Sequence, residues 1–481
     1  MAGIPTQYAT AEGSLYELVA RGNKDVFFYE DTAKSTYIFD SSYQPQAPST
    51  FEIRRVPPHT ACEFGRTVNF EFDLVGDLMT NPTLVINLPT WLPPQVASTN
   101  LTSIVTDTST SKVSYGYTNG IGFFLFELIQ FYQDNILLQE FSGDALWATT
   151  KAQGTYTQSF VVTELTGQHD GSPLSIGRNA TPPQLRLSLP LIGCQTKNDP
   201  GFPQRSTQSH TYRLRCKIRK LEDLIEASDG RIKPIPWGRT DFQQKQVSSE
   251  STPTPFTTLL RTQILPLDIQ LETQQVYVPR EYQDILQNKP QSLMFVRQWE
   301  NIFTQNQLDY AGVVGGGTSL VKRLLDGRHP SGRVVWFMRS IRDINANQLW
   351  KVNTGIAGQQ SYFNSVNLQI AGKDRELPRN SFVWRDIANF SKEENDTGSE
   401  INTMNWTLGA IAPERFPGAS SQETGAVNFT TADKPIFYID LSLPPSDPYT
   451  GAPNTELRVI VEGWARFDTD GTGRAELFSG N

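Results

Sequence analysis

The chain has 481 residues, 38% of them hydrophobic and 19% charged, so it is able to fold around a sizeable core, and its length predicts two or three domains. The formal net charge of −8 argues against a protein that mainly coats nucleic acid, since such binding depends on an excess of Lys and Arg. The 31 prolines, 35 glycines and 11% aromatic residues favour many short strands joined by irregular loops.

One short helical pattern lies near the N-terminus. Ser14 and Glu17 form a capping box, and Leu15, Leu18 and Val19 share an apolar face. A helix of two turns is too short to be stable alone, so this face must dock on its own domain, on a neighbouring subunit or on a membrane surface. The face is narrow and has few bases beside it, which favours a protein partner over a membrane. We predict that Leu15, Leu18 and Val19 form an interaction surface.

The chain shows no signs of export or membrane insertion. No apolar run reaches the roughly 18 residues of a membrane helix, and no basic segment followed by an apolar core marks a secretory signal. The cysteines Cys62, Cys194 and Cys216 are odd in number and widely spaced, which indicates a reducing compartment without a disulfide framework. We therefore expect synthesis in the cytosol.

Strand patterns fill most of the remaining chain. Apolar residues alternate with polar ones, or run together, at 64–89, 185–192, 212–218, 264–278, 333–338, 362–370, 435–443 and 457–467. A short helix is predicted at 280–288, before Pro290. We place the domain boundary there, with an N-terminal segment at 1–44, a first sandwich at 45–280, a linker helix at 281–289 and a second sandwich at 290–481.

One stretch occurs twice. Phe126 to Trp147 aligns without a gap on Phe363 to Trp384, and each copy has alternating apolar residues, a polar turn and a second extended run. This pattern predicts a strand, a tight turn and a strand. Aromatic hairpins share composition by chance, but a duplicated β domain is the better explanation. The repeat favours two domains.

The strand predicted at 212–218 has a basic face made of Arg213, Arg215, Lys217 and Arg219. Binding of single-stranded nucleic acid usually needs aromatic residues between the bases for stacking, and none are present. We interpret the face as solvated, or as paired with acidic residues of a neighbouring subunit.

No catalytic or metal-binding pattern emerges. His59, His169, His210 and His329 are far apart, and no cysteine or serine lies in a nucleophile motif. The segment from Asp468 to Gly473 has the acids and glycine of a calcium loop at three positions but lacks two ligands, so we interpret it as a turn. We predict no enzymatic activity, no metal and no cofactor.

About eight short antiparallel strands in each half, with irregular spacing and long loops, are typical of jelly rolls. The predicted fold is all-β, with two tandem eight-stranded jelly-roll β-sandwiches and a short N-terminal helix. A carbohydrate-binding or carbohydrate-cleaving β-sandwich is the alternative, because this architecture also occurs in lectins and hydrolases. Its signature would be exposed aromatics beside an acidic pair on one sheet face, for which the candidates are Trp91, Trp147, Trp237, Trp384 and Trp406.

Ordered motifs along the whole chain carry a family resemblance. They are Leu15 to Val26 (LYELVARGNKDV), Phe64-Gly65, Gly76 to Thr80 (GDLMT), Gly143-Asp144, His329-Pro330 with Val334 to Trp336, Gly372 to Arg375 (GKDR), Gly425 to Phe429 (GAVNF) and the tail Gly473 to Asn481. Together they resemble the double jelly-roll major capsid proteins of nucleocytoplasmic large DNA viruses. Thr430-Thr431 and the ending Ser479-Gly480-Asn481 depart from the pattern, and the opening MAGIPTQYATAEG is similar to the marseillevirus branch.

The resemblance implies a structural virion protein. Homotrimers would form pseudo-hexagonal capsomers that contact neighbouring capsomers and tile an icosahedral shell around a membrane-enclosed dsDNA core. Minor capsid and penton proteins are the implied further partners, together with the inner membrane surface, and nucleic acid is not contacted directly. The implied location is the virion capsid, assembled in the host cytoplasm, with the N-terminal helix on the inner side.

Overall fold

A computed structural model shows the fold of the chain. In its first half, segments of alternating apolar and polar residues form strands. The structure describes residues 49–72, 74–89, 104–105, 112–113, 115–153, 164–167, 182–195, 199–227, 232–237, 241–246, 254–255, 267–304, 307–308, 319–328, 330–352, 362–387, 401–407, 425–430, 435–442, 455–470 and 472–478. The strands up to residue 277 are β1 (Thr50–Val56), β2 (Thr67–Glu71), β3 (Leu78–Asn87), β4 (Ile104–Val105), β5 (Lys112–Val113), β6 (Tyr115–Tyr117), β7 (Phe126–Gln133), β8 (Ile136–Phe141), β9 (Leu185–Ser188), β10 (Tyr212–Ile218), β11 (Ile225–Ala227), β12 (Ile232–Trp237), β13 (Asp241–Gln246), β14 (Thr254–Pro255) and β15 (Asp268–Tyr277).

Among the described residues, the second half contributes ten further strands, and the helices are few. The strands are β16 (Gln291–Phe303), β17 (Ser319–Leu324), β18 (Pro330–Ser340), β19 (Phe363–Ile370), β20 (Lys373–Arg379), β21 (Asn402–Asn405), β22 (Val427–Asn428), β23 (Ile436–Leu441), β24 (Thr455–Thr469) and β25 (Ala475–Phe478). The α-helices are α1 (Ile121–Phe124), α2 (Gly143–Gln153), α3 (Arg280–Asn288) and α4 (Ile341–Asn345). Short 3₁₀ turns occur at Arg205–Thr207 and Leu221–Asp223, and a π-helical turn at Val383–Ile387.

Both halves have the same sheet topology. The first half forms the sheets β1-β15-β3-β9 and β2-β10-β7-β8, and the second half forms β16-β24-β18-β21 and β17-β23-β19-β20. Numbered along the chain, the eight sandwich strands of each half have the orders 1-8-3-6 and 2-7-4-5. This antiparallel order is that of a jelly roll, so the predicted double jelly roll is confirmed.

Smaller strand groups decorate the sandwiches. In the first half, β6 pairs with β11, β4 with β5, and β13 with β12 and β14, whereas β22 and β25 extend a sheet of the second sandwich. Helix α3 connects β15 to β16, at the position where the sequence predicts a short helix. The domain limits at residues 45–280, 281–289 and 290–481 remain our proposed division of the chain.

The repeated stretch forms the same hairpin twice. Strands β7 and β19 begin at the aligned Phe126 and Phe363, and the aligned turn residues Asp134 and Ala371 have left-handed φ values of 52° and 51°. The helical segments after the second strands were not predicted. In the first copy the Ser142 side chain accepts a hydrogen bond from the backbone N–H of Ala145 at 2.9 Å and so caps α2.

One sheet of the second sandwich is buried on both faces. In β18, Val334 and Trp336 point into the core of their own sandwich, whereas Val335 and Phe337 pack into the core of the first. Both sandwiches lie in the compact unit formed by residues 49–481. An unbroken apolar run follows from this placement, since alternation is lost when neither face meets water.

Candidate functional site

The contact between the two sandwiches is the most elaborate feature among the described residues. Helix α2 of the first sandwich lies against the outer face of the sheet β16-β24-β18-β21 of the second. The ring of Trp147 on α2 meets Phe337 edge-on with centroids 5.6 Å apart, and it packs against Phe124 of α1 at 5.5 Å. Trp147 is buried, so this junction is a true continuation of the core.

A buried carboxylate bridges the two sandwiches at this point. Asp144, at the start of α2, is fully buried, and Arg339 of β18 donates a hydrogen bond from Nη1 to its Oδ1 at 2.7 Å. Nη1 of Arg458 on β24 lies 3.1 Å from Oδ2, which also accepts a hydrogen bond from Arg219. Asp144 therefore ties two bases of the second sandwich to its own.

Two more carboxylates balance the charge. Glu456 accepts hydrogen bonds from Arg339 Nη2 at 2.8 Å and from Arg458 Nε at 2.6 Å. Glu300 of β16 accepts one from Arg458 Nη1 at 2.7 Å. The junction cluster therefore consists of three bases and three acids: Arg219, Arg339, Arg458, Asp144, Glu300 and Glu456. Opposite charges in equal number permit burial, because each charge has partners.

The bases control the ionisation of the acids in this cluster. Burial by itself would raise the pKa of Asp144, but the guanidinium groups of Arg458, Arg339 and Arg219 hold that pKa far below its ordinary value. Arg458 and Arg339 also lower the pKa of Glu456 against the effect of its burial. Asp144 thus stays charged through the whole range in which proteins normally fold.

A second polar contact lies beside the cluster, and the pKa of its carboxyl group is raised rather than lowered. Glu226 of β11 is fully buried and accepts a hydrogen bond from Trp350 Nε1 at 2.9 Å. Burial raises the pKa of Glu226 to about 8, which the hydrogen bond from Trp350 only partly opposes. Next to it, Asn347 donates from Nδ2 to the backbone oxygens of Glu222 and Ile225 at 2.7 and 2.6 Å.

The C-terminal strand β25 also fastens to the first sandwich. Gln133 Nε2 donates to the backbone oxygen of Ala475 at 2.6 Å, and the N–H of Ala475 donates to His210 Nε2 at 3.2 Å. Nδ1 of His210 lies 2.7 Å from Asp134 Oδ2, in the turn of the first hairpin. His210 therefore serves a structural contact between the halves.

The predicted basic face is only partly solvated. Lys217 pairs with Glu127 at 2.7 Å on the surface, and Arg213 bonds the turn at Asn135 at 3.1 Å. Arg219, predicted to face the same way, instead enters the junction cluster, because it follows the end of β10 and no longer obeys strand alternation. The prediction of a surface position for Arg219 was wrong.

The other candidate residues do not come together. The predicted interaction residues Leu15, Leu18 and Val19 lie outside the described residues, as do His169 and His329. His59 is exposed beside Glu71. Burial raises the pKa of the thiols of Cys62, Cys194 and Cys216, which opposes nucleophilic reactivity.

The segment beginning at Asp468 is built as a turn. The carboxylate of Asp470 accepts hydrogen bonds from the backbone N–H and hydroxyl of Thr472 at 2.8 and 2.6 Å. Its oxygens therefore serve the local backbone. Over the described residues, no group of three His, Cys, Asp or Glu side chains is placed to hold a metal, and no helix is long and apolar enough to cross a membrane.

Sequence reasoning missed the junction cluster, although a signal was present. Arg339 and Arg458 are isolated bases inside strongly apolar strands, in the runs VVWFMRS and ELRVIVEGW. A base in such a position must find a buried acid. The sequence does not say which of 50 acidic residues that is.

Exposed apolar side chains mark two further surfaces. On the first sandwich, Phe51 and Ile53 of edge strand β1 are 63% and 60% exposed. On the second, Leu377, Phe382 and Ile387, in and after β20, are 62%, 57% and 49% exposed. Clusters of this kind mark interaction surfaces more often than isolated apolar residues do.

Comparison with solved structures shows where else this fold occurs. PBCV-1 VP54, in a crystal structure fitted into a reconstruction of the virophage Sputnik, matches with a TM-score of 0.66 and 12% identity over 92% of this chain and 100% of that one. The Faustovirus major capsid protein matches at 0.56 and 12% over 96% and 99%. A chain of the Sputnik virophage, solved by cryo-EM, matches at 0.54 and 8% over 94% and 92%. Neither protein-family models nor curated protein sequences give a match. The likeness is one of fold over nearly the whole length.

Proposed function

We propose that the chain is a structural virion protein, the major capsid protein of a large DNA virus. The observation that carries this proposal is the double jelly roll shared, over more than nine-tenths of the chain, with PBCV-1 VP54 and the Faustovirus major capsid protein. The sequence motifs support it independently, because they occur in the order expected for such proteins. The assignment to the marseillevirus branch stays a prediction.

The assembly unit in this proposal is a homotrimer. Three copies of a chain with two sandwiches of equal topology present six similar sandwiches. A three-fold particle then offers pseudo-hexagonal edges, and one contact geometry between neighbouring capsomers tiles a shell. The junction cluster supports this role, because it fixes the two sandwiches relative to each other.

The remaining partners follow from the position of a shell protein. Minor capsid and penton proteins would meet the capsomers, and the face with the N-terminal helix would lie inward, toward those proteins or a membrane around the DNA. The net charge of −8 favours a shell without direct nucleic-acid contact. The proposal includes synthesis and assembly in the host cytoplasm and no enzymatic activity.

The carbohydrate-binding alternative has weaker support. It needs exposed tryptophans on one sheet face, whereas among the described side chains Trp147, Trp336, Trp384 and Trp464 are buried. Trp406 is partly buried and donates a hydrogen bond to Glu376 at 2.8 Å. Core packing accounts for these rings.

Light scattering coupled to size exclusion tests the proposal. We expect a species near three times 53.9 kDa that persists at high salt, and hexagonal arrays or shells of that species in electron micrographs. A monomer that forms no assembly at any concentration, and that binds glycans on an array, would favour the carbohydrate-binding alternative instead.

A further inference from the structure

The junction within one chain joins two defined surfaces. The first sandwich contributes the helical segment that follows its fifth strand, β8, and the second contributes the outer face of its sheet β16-β24-β18-β21. On β16, Gln298 Nε2 lies 3.5 Å from Thr149 Oγ1 of that helix, and Glu300 belongs to the junction cluster through Arg458. Each sandwich also has a copy of the surface that the other one uses.

The copy on the first sandwich is an uncovered apolar face. Strand β1 corresponds to β16 in the sheet order, and the last residue of each strand is buried in its own core. Phe51 and Ile53 lie five and three positions before the end of β1, as Gln298 and Glu300 do before the end of β16. Two junction positions that are polar in β16 are therefore apolar and more than half exposed in β1.

The apolar face extends onto the neighbouring strands. Phe51 pairs with Val276 of β15, and Val276 pairs in turn with Leu78 of β3. Both partners are half-buried and lie on the same face as Phe51. The apolar surface at Phe51 therefore extends over three neighbouring strands.

The copy on the second sandwich is uncovered as well. Trp384 aligns with Trp147, but its ring stays in its own core, edge-on to Trp336 at 5.8 Å. The segment around it presents Leu377, Phe382 and Ile387 to solvent. Phe382 directly precedes the π-helical turn that ends at Ile387, five residues further on, so the two side chains lie on roughly the same side of this helical segment.

We infer that these two surfaces bind each other between copies of the chain: residues 377–387 of one copy dock on the outer face around Phe51 and Ile53 of the next. This inference rests on the proposed capsid function and assigns the surface through which its trimer forms. The contact continues the junction already present in the chain, so sandwich follows sandwich in the same order around a ring. It joins two different surfaces, and such a head-to-tail contact closes into a ring when its rotation repeats after three copies, as the proposed trimer requires.

Cysteine cross-linking tests the pairing. The variant with Ile53→Cys and Phe382→Cys should give covalent trimers under mild oxidation, whereas Ile53→Cys alone and Phe382→Cys alone should give none, and mixing the two single variants should give dimers. The unmodified chain is the control for Cys62, Cys194 and Cys216. Covalent dimers from Ile53→Cys alone would overturn the inference in favour of two β1 edges facing each other.

A charge variant separates this interface from the proposed function. Phe51→Glu with Ile53→Lys should weaken trimer formation by about thirtyfold or more, as expected for central apolar contacts, without lowering the unfolding midpoint of the monomer. Ile136→Lys, at a position 59% exposed on the hairpin of the first sandwich, is the matched control and should leave the trimer unchanged. Trimers that survive the charge variant would refute this interface but keep the capsid function, whereas an unmodified chain that never associates would refute both.

Discussion

At the scale of single residues, Asp144 is the fully buried acid that pairs with all three bases of the junction cluster. Asp144→Asn leaves three guanidinium groups facing only two carboxylates in the cluster. We expect a loss of about 3–5 kcal/mol in the free energy of unfolding, because an uncompensated buried charge remains. Urea or guanidinium unfolding of the purified chain measures this loss.

Lys217 provides the matched control for Asp144. Its pair with Glu127 is as short, at 2.7 Å, but both side chains are about half exposed. Lys217→Ala should cost less than about 1 kcal/mol, since water and salt screen a surface pair. Equal losses for the two variants would contradict a structural role for the junction cluster.

Glu226 predicts a dependence of stability on pH. Its pKa is raised from 4.5 to about 8 by burial, so between these values the folded chain keeps a proton that the unfolded chain has released. The free energy of unfolding must then fall as the pH rises from 4.5 to about 8, by an amount on the order of a few kcal/mol, and remain level above. Unfolding midpoints across this pH range measure the slope.

Glu226→Gln isolates that contribution. The amide is neutral at every pH and its oxygen is still able to accept the hydrogen bond from Trp350. We expect a flatter pH profile and a variant more stable than the unmodified chain at pH 8 and above. Asp144 does not confuse the result, because its lowered pKa places its titration below this window. Parallel pH profiles for the variant and the unmodified chain would show that Glu226 does not cause the dependence of stability on pH.

At the scale of elements, we expect glycine at the same turn position of the two repeated hairpins to have opposite effects on stability. Ala371 has a φ of 51°, where a Cβ costs about 1–2 kcal/mol, so Ala371→Gly should stabilise the chain by up to about 1 kcal/mol. Asp134 at the aligned position has a φ of 52° but accepts hydrogen bonds from the N–H and hydroxyl of Thr211 at 2.9 and 3.0 Å.

Asp134→Gly should therefore destabilise the chain by about 1–2 kcal/mol, because the loss of these hydrogen bonds outweighs the relief of backbone strain at positive φ. Thermal unfolding of both variants under one condition gives the comparison. A stabilising effect of Asp134→Gly would mean that its bonds to Thr211 and His210 contribute little.

Local patterns predicted much of the fold at this scale. The alternation in Tyr212–Ile218 gave a strand with the expected buried and exposed faces, and the repeat placed both hairpins correctly. The helical segments after β8 and β20 were missed, because they are short and the packing of Trp147 and Trp384 stabilises them more than propensity does. The contacts of Arg339 with Asp144 and Glu456, and of Arg458 with Glu300, could not be predicted, since each of them joins residues more than 100 positions apart.

At the scale of the whole molecule, the two sandwiches share one topology but differ in what covers their surfaces. The outer face of the sheet β16-β24-β18-β21 is buried within the chain, whereas the corresponding face at β1 is open. The open face at β1 keeps apolar side chains in contact with water until a further copy of the chain packs against it. This asymmetry is the physical reason to expect a closed oligomer.

We expect the N-terminal segment to be needed for shell assembly but not for trimer formation. Its proposed contact residues Leu15, Leu18 and Val19 precede the first sandwich and belong to neither of the two surfaces assigned to the trimer. Deletion of Met1–Gly22 should therefore leave trimers intact in light scattering but prevent closed shells in electron micrographs of cells that co-express the other shell proteins. Changing Leu15, Leu18 and Val19 together to Ser should have the same effect, because the apolar face is the contact. The control Ala20→Ser, on the opposite side of the predicted helix, should assemble normally. Loss of the trimer on deletion would place this segment in the trimer interface and refute an inner contact as its main role.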